Sequence, residues 1–81
     1  MRDEEILAEI HRIVDDEHRT REAAQRDELT PEQERQEVQR LEVALDRCWD
    51  LLRQRRALRS AGEDPDRAET RSEQVVEHYR Q

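Results

Sequence analysis

Apolar residues in the first third of the chain recur every three or four positions. Ile6, Ile10 and Ile13 follow this spacing, and Leu7 and Val14 stand beside them. Such spacing is typical of one face of an amphipathic helix. The alternation continues with mostly polar residues through Glu17, Thr20 and Ala24. We predict a first helix over residues 4 to 26, with Asp3 as its N-cap.

A second helix has clear start and stop signals. Thr30 is a good N-cap, Pro31 fits the first helical position, and Gln33 completes a capping box. At the other end, Gly62 suits the position just after a helix, and Pro65 prevents the helix from continuing. The pattern therefore predicts a helix over residues 31 to 61.

The second helix carries a heptad pattern along most of its length. Its a and d positions are Val38, Leu41, Leu45, Cys48, Leu52, Arg55 and Arg59. Further apolar residues lie beside this seam: Ala44, Leu51 and Leu58 at g, and Trp49 at e. One partner helix cannot cover a stripe of that width. We therefore expect an interface formed by Leu45, Cys48, Trp49, Leu51 and Leu52.

The segment between the two helices is too short for anything except an antiparallel hairpin. This pairing brings Ile10 to the level of Trp49. It also brings the acidic start of helix 1 beside the basic end of helix 2. The acidic residues are Asp3, Glu4 and Glu5, and the basic ones are Arg53, Arg55 and Arg56. The charge pattern thus agrees with the apolar pattern, and the predicted ion pairs lie within the fold.

The predicted architecture is all-α, with an antiparallel two-helix hairpin over residues 1–62. Residues 63–81 are expected to form a loop and a short C-terminal helix or tail, because Thr70 and Glu73 make a weaker capping box there. A lone hairpin with so few large apolar residues is marginally stable. We therefore expect two copies to pack as a four-helix bundle, that is, a homodimer.

Composition narrows the classes of function. Only 32% of the residues are apolar, 46% are charged, and the net charge is −7. No apolar run is long enough to span a membrane, and no secretory signal is expected at the start. A single cysteine cannot form an internal disulfide, which is typical of a protein of the reducing cytoplasm.

One group of residues suggests a metal site as an alternative function. His11, Asp15 and His18 lie on successive turns of helix 1, and Glu42 and Asp46 lie at similar levels of helix 2. Imidazole and carboxylate ligands at such spacing can bind a divalent metal in a helical bundle. However, both histidines fall at b positions, away from the seam. We favour boundary residues on a solvated face and expect no cofactor.

Three other features have structural explanations. Glu17 at a seam position is expected to pair with Arg21, one turn away, with Arg40 also near in level. Cys48 at a d position should behave as a small apolar residue, because nothing there lowers its pKa. The arginine cluster near the end of helix 2 lacks interleaved aromatic residues and faces acidic residues. Nucleic-acid binding is therefore not expected.

The sequence resembles a small bacterial family of about this length, described only as a domain of unknown function in GC-rich Gram-positive bacteria. The most specific part is the run from Cys48 to Arg56, CWDLLRQRR. Further similar positions are Ile6, Leu7, Ile10, His11, Val14, Glu17, His18, Leu41, Glu42, Leu45, Asp46, residues 61–65, Val76 and Tyr79. Relatives often have a glycine before the leucine of the turn, where this chain has Arg26-Asp27-Glu28. The resemblance implies a helical fold and no particular chemistry.

These observations predict a small, non-catalytic interaction or scaffolding module of the cytoplasm. Its expected partner is a second copy of the chain or another protein, with neither nucleic acid nor membrane involved. Residues for catalysis are not apparent, since glycine-rich phosphate loops and Ser/His/Asp arrangements are both absent from the sequence.

Overall fold

The computed structural model describes residues 2–69 as two long helices and a short 3-10 turn. Helix α1 spans Asp3–Gln25, helix α2 spans Pro31–Ser60, and the turn spans Pro65–Arg67. The two helices pack against each other in an antiparallel hairpin, which confirms the predicted fold class. Both helices end one residue earlier than predicted. The predicted capping box at Thr70 lies outside the described residues.

Helix α2 begins as its start signal predicts. The Thr30 hydroxyl accepts a hydrogen bond from the Gln33 backbone N–H at 3.1 Å, and the Gln33 side chain accepts one from the Thr30 N–H at 2.9 Å. Pro31 occupies the first helical position, where a missing N–H costs nothing. These reciprocal bonds satisfy two backbone N–H groups that have no carbonyl partner within the first turn of the helix.

The start of helix α1 differs from the prediction that Asp3 is its N-cap. Arg2 is the N-cap residue, and its backbone N–H donates to the Glu5 carboxylate at 2.9 Å. Asp3 is instead the first helical residue, and its side chain is bound by arginines of α2. Two charged donors attract a carboxylate more strongly than backbone N–H groups do. This tertiary contact explains why the capping position moved.

Both helices end in the same motif. After α2, Gly62 has a φ of +74°, the Glu63 N–H donates to the Leu58 carbonyl, and the Gly62 N–H donates to the Arg59 carbonyl. This pattern is the Schellman motif, which requires a left-handed residue after the helix. After α1, the left-handed residue is Asp27, with a φ of 60°. A glycine would take up this conformation with less strain.

We expect Asp27→Gly to stabilise the protein by about 0.5–1 kcal/mol, because an L-residue with a side chain is strained in the left-handed region. Thermal unfolding followed by circular dichroism measures the effect. The matched control is Arg26→Gly, at a neighbouring position where φ is −90° and glycine gains nothing; this change should destabilise. A lower melting temperature for Asp27→Gly would contradict the argument.

The apolar core lies in the half of the hairpin far from the turn. Ile6, Ile10 and Leu52 are buried together, at 1%, 6% and 4% exposure. The half-buried apolar residues packed against them are Leu45, Cys48 and Leu51. Ile13 and Leu41 are also buried, further towards the turn. The predicted seams of both helices therefore face each other.

The seam becomes polar nearer the turn. Glu17 takes a seam position, and its carboxylate pairs with Arg21 at 3.5 Å, as predicted. Arg40 pairs instead with Glu37 on its own helix. Thr20 is buried and donates its hydroxyl hydrogen bond back to the Asp16 carbonyl at 2.9 Å. Local partners thus serve Thr20 and one oxygen of Glu17, whereas Glu17 Oε1 is buried without a hydrogen-bond partner among the described residues. With these polar residues in the seam, this half of the hairpin contributes little apolar burial.

Candidate interaction surface

The two sides of the hairpin carry different chemistry. Because the helices are antiparallel, their e positions lie on one side of the seam and their g positions on the other. The g side has charged residues that pair with each other, and its apolar residues, such as Leu51 and Leu58, are half-buried. On α1, Arg12 pairs with Glu9 and with Asp16, and on α2, Arg40 pairs with Glu37. Because these charged residues already pair with each other, few charges on the g side are left for a second molecule.

The opposite side contains the exposed apolar residues, and we call it the Trp49 flank. Its e positions include Leu7 and Val14 on α1 and Trp49 on α2. These three residues are the exposed large apolar residues among residues 2–69, at 42%, 36% and 41% exposure. Single exposed apolar residues are common on protein surfaces, whereas several on one side make that side a candidate interaction surface.

The other e positions of α2 are charged, with Arg35 nearest the turn and with Glu42 and Arg56 on either side of Trp49. Glu42 is half-buried and Arg56 is exposed. Within residues 2–69 neither forms an ion pair. The Trp49 flank therefore differs from the g side in two ways, because its apolar residues are uncovered and these charges have no partner within the described residues.

The structure separates the five residues that the sequence assigned to an interface. Leu52 is buried in the hairpin core, with Leu45, Cys48 and Leu51 packed around it. Trp49 lies outside this cluster and remains 41% exposed. Of the five, Trp49 is therefore the residue most available to a second molecule. The subunit interface itself stays a prediction.

A group of charged residues joins three parts of the chain at the end of the hairpin away from the turn. The buried Arg55 donates to Asp3 at 2.6 Å and to Asp66 at 2.9 Å. Arg59 also binds Asp3, at 2.7 and 3.2 Å, with one hydrogen bond to each carboxylate oxygen. This cluster therefore connects the start of α1, the last turns of α2 and the 3-10 turn.

Electrostatics in this cluster favours the charged forms. Hydrogen bonds from Arg59 and then Arg55 lower the pKa of Asp3 to about 2. Asp66 and then Asp3 raise the pKa of Arg55, and Arg55 in turn lowers the pKa of Asp66. A buried guanidinium needs such partners, because an unpaired charge in the interior is costly.

The predicted pairing of acidic and basic ends is right for Asp3 and Arg55. It is wrong, among residues 2–69, for the other four residues of the prediction, namely Glu4, Glu5, Arg53 and Arg56. Glu5 accepts from the N-cap backbone instead, and Arg53 lies 4.0 Å from Asp50 on its own helix. Arg59, which the pairing did not include, takes the second position on Asp3. Arg59 lies one helical turn after Arg55 on the same face of α2, so both side chains reach Asp3.

Contacts from the segment after α2 were not anticipated. Asp66 binds Arg55, and the Gln54 side chain both donates to the Glu69 carbonyl at 2.6 Å and accepts from its N–H at 3.2 Å. Gln54 also donates to the buried Asp50 at 2.9 Å. Arg55 was the residue in the sequence that could have indicated these contacts, because an arginine at a d position requires nearby carboxylates.

The alternative metal site is not assembled in the described part of the chain. Among residues 2–69, no three histidine, cysteine or acidic side chains come close enough to hold a metal ion. His11, Asp15 and His18 are exposed on α1, while Glu42 and Asp46 are half-buried on α2. The residues are suitably spaced along each helix, but those of α1 and those of α2 do not come together around a common point.

Cys48 has the properties expected of a packing residue. It is half-buried against the core, and burial, with a smaller contribution from Glu9, raises the pKa of its thiol. The thiolate is the nucleophilic form, so a raised pKa makes the thiol less reactive at neutral pH. This agrees with the sequence argument that nothing lowers the pKa of Cys48.

Comparison with known proteins places the chain in a family. Residues 2–81 match the family model described as "Protein of unknown function (DUF2630)". The chain belongs to the DUF2630 family. It is 44% identical over 77 residues to the uncharacterized protein Rv0898c of Mycobacterium tuberculosis and to the uncharacterized protein Mb0922c of Mycobacterium bovis. Each alignment covers 95% of this chain and 88% of the relative.

Membership of the DUF2630 family confirms the resemblance seen in the sequence, including its link to GC-rich Gram-positive bacteria. The family description assigns no activity. No solved structure matches the chain significantly. Among residues 2–69, neither helix combines the length and the apolar character that crossing a membrane requires.

Proposed function

We propose that this DUF2630 protein is a small, non-catalytic protein–protein interaction module that works as a homodimer. The Trp49 flank carries the proposal, because the exposed large apolar residues among residues 2–69 lie on this side of the hairpin. The other side has paired charges and apolar residues that are half-buried. Covering this flank with a second hairpin would produce the four-helix arrangement that the sequence predicts.

Stability supports the same proposal. Five apolar residues are buried among residues 2–69, namely Ile6, Ile10, Ile13, Leu41 and Leu52. The rest of the long seam contains polar residues such as Glu17 and Thr20, which add little apolar burial. A hairpin with so small a core gains from burying Trp49, Leu7 and Val14 against a partner.

The chemistry of the described residues supports a non-catalytic role in the cytoplasm. The Cys48 thiol has a raised pKa, and two arginines of the basic end of α2, Arg55 and Arg59, are bound by Asp3. The protein has a net charge of −7, so it would on average repel a nucleic-acid backbone. A single half-buried cysteine also suits a reducing compartment.

The experiment compares the wild type with Trp49→Ala by sedimentation equilibrium and thermal unfolding. We expect a wild-type dimer whose melting temperature rises with protein concentration, since association stabilises the folded state. Trp49→Ala should be monomeric and retain helix at low temperature, with a lower melting temperature that no longer depends on concentration. Emission from Trp49, the single tryptophan, should shift to shorter wavelength as the wild type associates.

The matched control is Leu58→Ala, which removes apolar surface from a half-buried g position on the other side of α2. This variant should remain dimeric. A wild type that is monomeric at high micromolar concentration and melts cooperatively, independently of concentration, would overturn the homodimer and remove the main support for the proposal.

A further inference from the structure

The Trp49 flank has a symmetric arrangement of charge along α2. Glu42 lies seven residues before Trp49, and Arg56 lies seven residues after it. All three occupy e positions, so they form one line along the helix. Within residues 2–69 neither charged residue has an ion-pair partner. Opposite charges at equal distances from a central aromatic residue make this line complementary to itself.

From this pattern we propose how the homodimer is built, an inference that rests on the proposed function. A two-fold axis passes beside Trp49, perpendicular to α2, and the α2 helices of two copies pack antiparallel along their Trp49 flanks. Trp49 then contacts the partner's Trp49, and Glu42 lies opposite the partner's Arg56. Symmetry repeats the pair, so each dimer contains two Glu42–Arg56 ion pairs around one tryptophan contact.

Charge complementarity selects this arrangement over the parallel one. If the same line of α2 packed in parallel, Glu42 would face the partner's Glu42, and Arg56 would face the partner's Arg56. Like charges directly opposite each other are destabilising. A shift of one heptad in the antiparallel pairing would place a charged residue against Trp49. The arrangement centred on Trp49 therefore pairs unlike charges and keeps apolar surface together.

The position of Leu7 supports the same centre. Leu7 is exposed on α1 between Ile6 and Ile10, and the core cluster around these two isoleucines includes Cys48, the residue next to Trp49. The apolar part of the flank is thus widest around Trp49, where the axis passes. The ion pairs lie two helical turns away on each side, as expected for charged residues at the rim of an interface.

The experiment is a charge-swap cycle on the full chain. Its variants are Glu42→Arg, Arg56→Glu and the combination of both, and the dimer dissociation constant is measured by sedimentation equilibrium. Each single change replaces two attractive pairs with two repulsive ones. We therefore expect each to weaken the dimer by about tenfold or more. The combined variant restores the pairs in reverse order and should return to within about threefold of the wild type.

The control is Glu32→Arg, which makes the same charge change as Glu42→Arg at an exposed b position of α2. Its dissociation constant should match that of the wild type. Circular dichroism of each variant establishes that the hairpin remains folded, as expected for changes at residues outside the core. Raising the salt concentration should reduce the effect of both single changes.

The outcomes distinguish the arrangement from the function on which it rests. Weakening by both single changes, with recovery in the combined variant, supports the two-fold axis at Trp49. A wild-type dimer whose single-variant effects simply add in the combined variant would overturn this arrangement and leave the homodimer intact. A folded, monomeric wild type would overturn both.

Discussion

Replacing Leu52 with aspartate is expected to abolish most of the helical structure at room temperature. Leu52 is 4% exposed and packs with Ile6 and Ile10 at the centre of the core. Losing its apolar contacts costs about 2–5 kcal/mol, and burying an unpaired carboxylate there costs more. Since folded domains are stable by only about 5–15 kcal/mol and this core is small, little stability would remain. Far-ultraviolet circular dichroism and thermal unfolding measure the loss.

Leu7→Asp is the matched control for this prediction, because it makes the same change at a leucine that is 42% exposed. It should retain the helical spectrum at low temperature while weakening association. Glu34→Ala, away from the apolar residues, should leave both spectrum and melting temperature nearly unchanged. If Leu52→Asp kept native helicity and native melting, the heptad register assigned to α2 would be wrong.

Acid is expected to destabilise the protein through Asp3. The pKa of Asp3 is about 2 in the folded protein, below its ordinary value of 3.8. A lowered folded-state pKa means that folding favours the ionised carboxylate. Its contribution is therefore fully present above about pH 4 and is lost as the pH falls towards 2. Thermal unfolding measured at several pH values should show the melting temperature falling across that range.

Asp3→Asn removes the charge that pairs with both Arg55 and Arg59. We expect a melting temperature lower by on the order of 10 °C at neutral pH, because the buried Arg55 then keeps a carboxylate partner only in Asp66. The variant should also lose part of the decline between pH 4 and 2, since Asp3 no longer titrates.

Glu4→Gln is the control for the acid prediction. It removes one negative charge from the same helical turn, but Glu4 is exposed and makes no ion pair within residues 2–69. Its loss should cost only the modest interaction of an acidic residue with the helix dipole. Equal effects of Asp3→Asn and Glu4→Gln would show that the dipole, rather than the arginine contacts, accounts for the role of Asp3.

Apolar spacing and helix-end signals were enough to predict the hairpin. Thr30, Pro31 and Gln33 act within a few residues of each other, so the start of α2 depends on local bonds that the sequence displays directly. Gly62 likewise marks the end of α2, because it alone lacks the side chain that strains a left-handed residue. The left-handed role of Asp27 was less visible, since aspartate tolerates that conformation without requiring it.

The sequence predicted poorly which polar residues meet across the hairpin. Asp3, Glu4 and Glu5 are chemically equivalent as partners for the arginines of α2, and only the rotation and level of the two helices select Asp3. The same holds for Asp66, whose approach to Arg55 depends on the path of the chain after Gly62. Long, flexible side chains of similar charge can exchange partners after a shift of one turn.

By itself, the sequence determined two amphipathic helices, their ends and the face by which each meets the other. These features follow from backbone hydrogen bonding and a period of 3.6 residues, which act over short distances along the chain. Only the tertiary structure decided which apolar residues beside the seam are covered, since Leu51 packs against the core while Trp49 stays exposed. Both residues are large, apolar and next to the seam, so the heptad pattern does not separate them. The rotation of α2 against α1 does, because it turns one side of the α2 seam towards the core and the other side away from it.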